Sequence, residues 1–262
     1  MQLDLLSVAL LAITGFVAGG INTVAGGGSN LTLPALMMFG LPADIANGTN
    51  RVAILMQSIV GVAGYDKHKT LDRQAIIPIL IPCLLGGGLG ALLAAIIPNL
   101  YLKPILLLTI LCMSIIILIR PDIIAPPVGT QTLSPRGNQS AWWGLFIAGV
   151  YGGFVQAGVG FILLAALAGG LRYDLVRANA LKMVCALAFT LVAMIIFVAF
   201  DLVWWVPGFI LASGSMVGAH IAVKIAIKAS QESIKWFLFA MTILAVLGGC
   251  LLYTSPSPRD RG

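Results

Sequence analysis

LLSVALLAITGFVAGGINTVAGGGSNLTLPALMMFGLPA, Leu5 to Ala43, is the stretch on which the fold of this chain turns. Its 39 residues carry no charge. That is too long for one membrane-spanning helix of roughly 20 residues and barely enough for two. In its middle stands GGGSN, Gly26 to Asn30. A helix continuing through these glycines would lose about 1 kcal/mol at each, relative to alanine. A related interruption, QAGVGF from Gln156 to Phe161, lies in a second uncharged stretch, Ala141 to Leu171. Breaks at matching positions of two halves point to a transporter's binding site.

The composition fits a membrane protein. Of 262 residues, 60% are hydrophobic and 9% charged, and the mean hydropathy is +1.04. A soluble domain carries about 25% charged residues. The net charge of +6 does not indicate a nucleic-acid partner, because the basic residues fall in short loops and at span ends. Cys83, Cys112, Cys185 and Cys250 are scattered singly without CxxC spacing. Neither a zinc site, a disulfide framework nor a cofactor is indicated. No GxxxxGK[ST] occurs, so the chain is not expected to hydrolyse ATP. The N-terminal apolar run carries Asp4 and lacks a positive leader region, and reads as a retained first span.

Uncharged runs place spans at about Leu5 to Ala25, Ala46 to Tyr65, Ile76 to Ile97 and Leu102 to Ile119, with a short segment Leu31 to Phe39 after the first break. A hydrophilic, proline-bearing linker follows, Arg120 to Ser140. The plan then repeats: Trp142 to Val155, a break near Gly158, a short segment Phe161 to Gly169, then Leu175 to Phe200, Val203 to Val223 and Trp236 to Leu252. Tryptophans 142, 143, 204, 205 and 236 sit at span ends, the interfacial position. An offset of 130 pairs Gly28 with Gly158, Gly40 with Gly170, Leu41 with Leu171 and Asp44 with Asp174, and an offset of 128 pairs GGGLGA (Gly86 to Ala91) with GSMVGA (Gly214 to Ala219). The expected fold is an all-α integral membrane protein. About eight transmembrane helices form two homologous four-helix repeats, each with a glycine-broken first helix. Residues 1–119 are the first repeat, 120–140 the linker, 141–253 the second repeat, and 254–262 a polar tail that is disordered or foreign to the gene product. Four true spans per half would put the basic loop Lys67 to Arg73 opposite those at Arg172 to Arg177 and Lys224 to Lys235. That arrangement conflicts with the positive-inside rule, unless a break is re-entrant or some of the basic residues lie inside the protein.

After each break an Asn and a cation open a long apolar helix: Asn50 with Arg51, and Asn179 with Lys182. Charge at membrane depth is functional or paired. The plainer alternative is that both cations snorkel to the interface or pair with Asp44 and Asp174. A helix start exposes unpaired N–H groups and favours an anion. Gly26, Gly27 and Gly28 give the backbone freedom there, with Ser29 and Asn30 as added donors. Gly158, Gly160 and Gln156 are their counterparts in the second break. Close helix packing is the competing use of such glycines, and it is the preferred reading for GGGLG and GSMVG. His220 lies inside a span and reads as a packing hydrogen bond rather than a proton carrier, and no intramembrane acid pair suggests a coupling ion.

At these residues the chain resembles the TauE/SafE family of sulfite exporters, also called transmembrane anion permeases. The match is carried by GGGSNLTLPALMMFGLPADIANGTNRV, Gly26 to Val52, and extends over nearly the whole chain to about Tyr253. The family's second motif has a fuller glycine run than QAGVGF. The resemblance implies a non-enzymatic, multi-pass carrier in the bacterial inner membrane. It would export or exchange small sulfur-containing anions such as sulfite or organosulfonates, and its partners would be that anion and the lipid bilayer. Self-association is left open. The rival readings are a passive anion channel of the same architecture, an intramembrane hydrolase using Ser29 and His220, and a purely structural subunit.

Overall fold

The structure, a computed structural model, describes residues 4–119, 130–134, 137–229 and 233. The expected last span Trp236 to Leu252, the tail Thr254 to Gly262, Cys250 and most of the linker lie outside the described residues. Among those described, regular structure is entirely helical: α1 (Leu5–Val24), α2 (Ser29–Met38), α3 (Ala43–Lys67), α4 (Ile76–Ile96), α5 (Asn99–Ile119), α6 (Gln139–Phe154), α7 (Val159–Leu164) with a π-helical turn Ala165–Gly170, α8 (Leu175–Ala199) and α9 (Trp205–Lys228). Short polar side chains start three of them. Asp4 accepts from Ser7 N, Asn138 from Ala141 N and Asp174 from Arg177 N, each filling an N–H that has no intrahelical partner.

Four described helices are long and apolar enough to cross a membrane: α1, α4, α8 and α9. The chain is a multi-pass membrane protein. Helix α3 is as long as α8, at 25 residues, but it carries Asn47, Asn50, Arg51 and Gln57 in its buried face. The large exposed hydrophobic side chains of the apolar helices are Leu, Ile, Phe and Val, with Trp205 at the start of α9, the composition of a surface that meets lipid rather than water.

The glycines set the packing. A Cβ on Gly15 or Gly19 of α1 would run into the backbone of Leu211 or Ser215 of α9, and one on Gly214 or Gly218 of α9 into Ala12 or Phe16 of α1. Residue numbers rise together in these contacts, so α1 and α9 run parallel. Helices α4 and α6 do the same through Gly86, Gly90, Gly149 and Gly153. The stretches GGGLG and GSMVG are therefore packing surfaces where backbones approach closely.

Each break reverses the chain. Gly28, at the start of α2, lies against Ala18 and Asn22 of α1, and Leu36 near its end packs with Leu11. Gly152 of α6 faces Val159, Gly144 faces Ala166 and Ala141 faces Gly170. The pairs α1–α2 and α6–α7 are helical hairpins, with the turn buried at the break. This reversal removes the expected conflict over the basic loops. Tyr173 Oη donates to Asp72 Oδ2 at 3.0 Å, which joins the loop after α3 to the loop before α8 on one face. Gly64 of α3 and Val223 of α9 are in contact, so both helices end there too. That face carries Lys67, Lys69, Arg73, Arg172, Arg177, Lys224 and Lys228. On the opposite face Asp44 N donates to Asn99 Oδ1 at 3.1 Å and Trp204 N to Thr49 Oγ1 at 2.9 Å. Its charged residues among those described are Asp4, Asp44, Asp201 and Lys103.

Replacing Gly19 or Gly90 by alanine sets a methyl group against backbone that cannot swing away. Each substitution is expected to lower unfolding stability by about 1–3 kcal/mol. Gly169→Ala, where nothing lies within 4 Å, is expected to leave it unchanged. Thermal unfolding of the detergent-solubilised protein reads the difference.

Candidate functional site

The two breaks meet. Gly160 N donates to Gly26 O at 3.3 Å, and a Cβ on either glycine would strike the other's Cα. Residues 21–30 and 155–160 are buried throughout. Irregular backbone at membrane depth persists only where protein covers it. Gly26 turns with φ +97° and Gln156, its counterpart at an offset of 130, with φ +69°. The left-handed region is uncommon for a residue with a Cβ. Gln156 holds it with its side chain tied on both sides: Oε1 accepts from Arg51 Nη1 and, at 3.1 Å, from Thr190 Oγ1.

The two cations cross over. Arg51, on α3 of the first half, reaches the end of α6 in the second. Nη1 donates to Gly152 O at 2.5 Å and Nη2 to Gly153 O at 2.8 Å, with Asn47 Oδ1 at 3.3 Å from Nη2. Lys182, on α8 of the second half, reaches the end of α1 in the first. Its Nζ donates to Asn22 O and Thr23 O, both at 3.0 Å, and to Asn179 Oδ1 at 2.7 Å. The carbonyls correspond at the offset of 130, Asn22 with Gly152 and Thr23 with Gly153. Each cation thus satisfies the last carbonyls of a broken helix and sits at the negative end of its dipole.

These contacts revise the simpler reading of the cations. Both are fully buried, Arg51 at 0% exposure and Lys182 at 1%, so neither snorkels. Neither pairs with an aspartate: Asp174 binds Arg177 at 2.5 Å, and Asp44 Oδ1 accepts from Ile45 N. Lys182 spends all three of its N–H donors on protein oxygens. Of the five on Arg51, only Nε lacks a partner. Two unit charges facing two helix ends worth roughly −0.5 each leave about one positive charge in the region.

The other expected residues divide into holders and open donors. Asn50 fastens α2 to α3, donating from Nδ2 to Ser29 Oγ at 3.2 Å and accepting from Thr32 Oγ1 at 2.6 Å. Gly28 permits the hairpin return, Gly27 faces the Phe161 ring and Gly160 serves the contact between breaks. Gly158 turns at φ +76°. Among these expected residues, the buried amide groups left without a protein partner are the donors Asn30 Nδ2, Gln156 Nε2 and Asn179 Nδ2 and the acceptor Asn30 Oδ1. Asn30 opens α2 beside the first break, Gln156 lies in the second, and Asn179 is linked through Lys182 to the end of α1. In the same region the N–H groups of Gly27, Gly28 and Ser29 take no hydrogen bond among the described residues. This is donor chemistry in a positive field, suited to an anion.

The proposed hydrolase pair gains no support from this geometry. Ser29 is buried and engaged with Asn50, whereas His220 is exposed on α9. Sequence reading missed Thr32, Asn47, Thr190 and the carbonyls of Asn22, Thr23, Gly152 and Gly153. The carbonyls could have been found by extending the offset of 130 three residues ahead of each break. Thr32 and Thr190 carried no such signal.

Removing the amine at Lys182 strands two buried carbonyls, at about 1–3 kcal/mol for each unsatisfied group. Lys182→Met is accordingly expected to lower the unfolding free energy by more than 2 kcal/mol, read as the denaturant midpoint in detergent.

A family profile described as sulfite exporter TauE/SafE matches residues 11–248. Similar proteins run the same length. A probable membrane transporter protein of Haemophilus influenzae is 29% identical over 93% of this chain and 94% of its own. The probable membrane transporter protein ORF9 of a Sinorhizobium species is 26% identical over 90% and 89%. The probable membrane transporter protein YfcA of Escherichia coli K12 is 26% identical over 97% and 94%. With the profile covering nearly all of its helices, this chain belongs to the sulfite exporter TauE/SafE family of membrane transporters.

Proposed function

We propose that this protein is a secondary carrier, working as an exporter, for small sulfur-containing anions such as sulfite or an organosulfonate, and that the anion binds where the two helix breaks meet. The observation that carries this reading is the pair of crossed cations, Arg51 and Lys182, buried beside unpartnered amide donors and, among the described residues, without an ion pair to a carboxylate. The sulfur class comes from the family description. Asn30, Gln156 and Asn179 are the contacting side chains, aided by backbone N–H groups at Gly27 to Ser29. Arg51 and Lys182 supply the field, and Gly26, Gly28, Asn50, Gly158 and Gly160 shape the site.

The architecture of this reading is about eight spans in two repeats, 1–119 and 141–253, joined by the linker 120–140. Because each repeat opens on a hairpin with no net crossing, three helices cross after it, and an odd count inverts the second repeat. The parallel pairs α1 with α9 and α4 with α6 support that inversion. Inverted repeats meeting at a midplane site are the arrangement in which one bundle rocks against the other. In this reading the face bearing Lys67, Arg73, Arg172 and Lys228 is cytoplasmic by the positive-inside rule, and the proposed location is the bacterial inner membrane.

A hydrogen bond to a charged ligand is worth about 1.5–3 kcal/mol. In proteoliposomes, Asn30→Ala is therefore expected to weaken saturable uptake of radiolabelled sulfite by about ten- to a hundred-fold in half-saturation. Its unfolding midpoint should be unchanged or higher, because the amide has no partner to lose. Equal uptake by Asn30→Ala and the parent protein would remove Asn30 from the site. Currents that follow the gradient without saturation would favour a channel.

Ligand binding should also stabilise the purified protein. Sulfite or a short sulfonate at a hundred times its Kd is expected to add about 2.7 kcal/mol to the folded state. A thermal-shift series with choline salts as the control reads this. No shift with any small anion counts against the binding site.

A further inference from the structure

Beyond Ile54 the burial of α3 narrows to one face: Gln57, Ser58, Gly61 and Tyr65, the three- and four-residue spacing of a single helical stripe. Three of these carry a buried polar group with no protein partner, Gln57 Nε2, Ser58 Oγ and Tyr65 Oη, at 1%, 0% and 0% exposure. A serine within a helix ordinarily returns its hydroxyl to a carbonyl one turn back, and Ser58 does not. An orphaned polar group costs about 1–3 kcal/mol inside a protein. Three along one stripe mark a surface built to meet water or a polar solute.

The neighbouring helix fixes where this stripe lies. Gly61 of α3 faces Met183 of α8, Tyr65 packs with Ala180 and Met183, and Arg51 stands 5.3 Å from the Phe197 ring. The two helices are antiparallel. Gln57 and Ser58 therefore lie between the level of Arg51 and the level of Lys182, and Tyr65 lies toward the basic face. The corresponding stretch of α8, toward the opposite face, is apolar and filled. Phe189 covers Gly87 and Gly152, and Phe197 packs with Ala91, Ala94 and Ala193.

We infer that the Gln57–Ser58–Gly61–Tyr65 face of α3 is the route by which the anion passes between the central site and the basic face, with Gln57 and Ser58 its first donors and Tyr65 its outermost. The opposite half is closed by Phe189 and Phe197. This inference rests on the transport reading above and adds residues that it does not use.

Cysteine accessibility tests the route without measuring transport. Ser58→Cys is nearly isosteric and keeps the fold. All variants are built on Cys112→Ala, because Cys112 is exposed whereas Cys83 and Cys185 are buried. Membrane vesicles of both orientations are treated with an anionic, membrane-impermeant methanethiosulfonate, and modification is read by mass relative to that background protein. Lys69→Cys, at an exposed position of the basic face, reports which vesicles present that face. The expected result is modification of Ser58→Cys at least ten-fold faster from the Lys69 face than from the other, with Ala193→Cys unmodified from either. Absence of modification of Ser58→Cys from both faces overturns the route. So does equal modification from both, or faster reaction of Ala193→Cys from the opposite face. If Ser58→Cys labels as expected while no sulfur anion is carried, the route stands and the proposed substrate class fails.

Discussion

An interrupted helix inside a membrane has to satisfy the carbonyls at its broken end, and no water is at hand to do so. Here two such ends are buried, at Thr23–Val24 and Gly153–Phe154, and each is closed by a cation borrowed from the other half of the chain. Other features follow from that exchange. Lys182 holds the end of α1 only if α8 lies beside it, and Arg51 holds the end of α6 only if α3 does. Glycine-lined contacts meanwhile hold α1 against α9 and α4 against α6, so each broken helix is also packed against a helix of the other half. Neither half satisfies the carbonyls of its own broken helix, so the two ends are closed only when the halves are assembled.

The same constraint explains why the breaks are reversals. A helix that merely bent and continued would leave its end carbonyls facing apolar side chains. Folding α2 back along α1 and α7 along α6 keeps the loose backbone within the protein, where Gly26 and Gly160 touch. The reversal also brings the loops at Asp72 and Tyr173 to one face. A count of apolar runs assigns them to opposite faces, because it takes each run as a crossing.

Much was legible in the sequence for physical reasons that operate locally. Among the described residues, uncharged length located the helices to within about a turn and a half, and glycine content marked the turns at Gly26 and Gly158. The pairing of Asn50–Arg51 with Asn179–Lys182 singled out the side chains that organise the centre. What escaped was direction. Nothing in GGGSN distinguishes a kink from a reversal, since the difference lies in which helix face the returning segment covers. The partners of Arg51 escaped for a related reason: they are backbone carbonyls more than a hundred residues away, and a carbonyl has no residue type to read. Gln57 and Ser58 were passed over because a lone polar residue in an apolar run is ordinarily tied to its own helix.

Arginine in one half and lysine in the other suit the different breaks they close. The first break turns at a glycine, and its neighbours ask only for two carbonyls to be met, which an ammonium with three donors does while also holding Asn179. The second turns at Gln156, a residue with a Cβ held at positive φ. Its side chain has to be fixed as well, and the planar fork of Arg51 meets Gly152, Gly153, Gln156 and Asn47 together. A lysine there could not reach all four. Fixing Gln156 Oε1 in turn sets the direction of its free Nε2 donor. Arg51 therefore acts on the centre in two ways, by its charge and by aiming the one amide that the second break contributes.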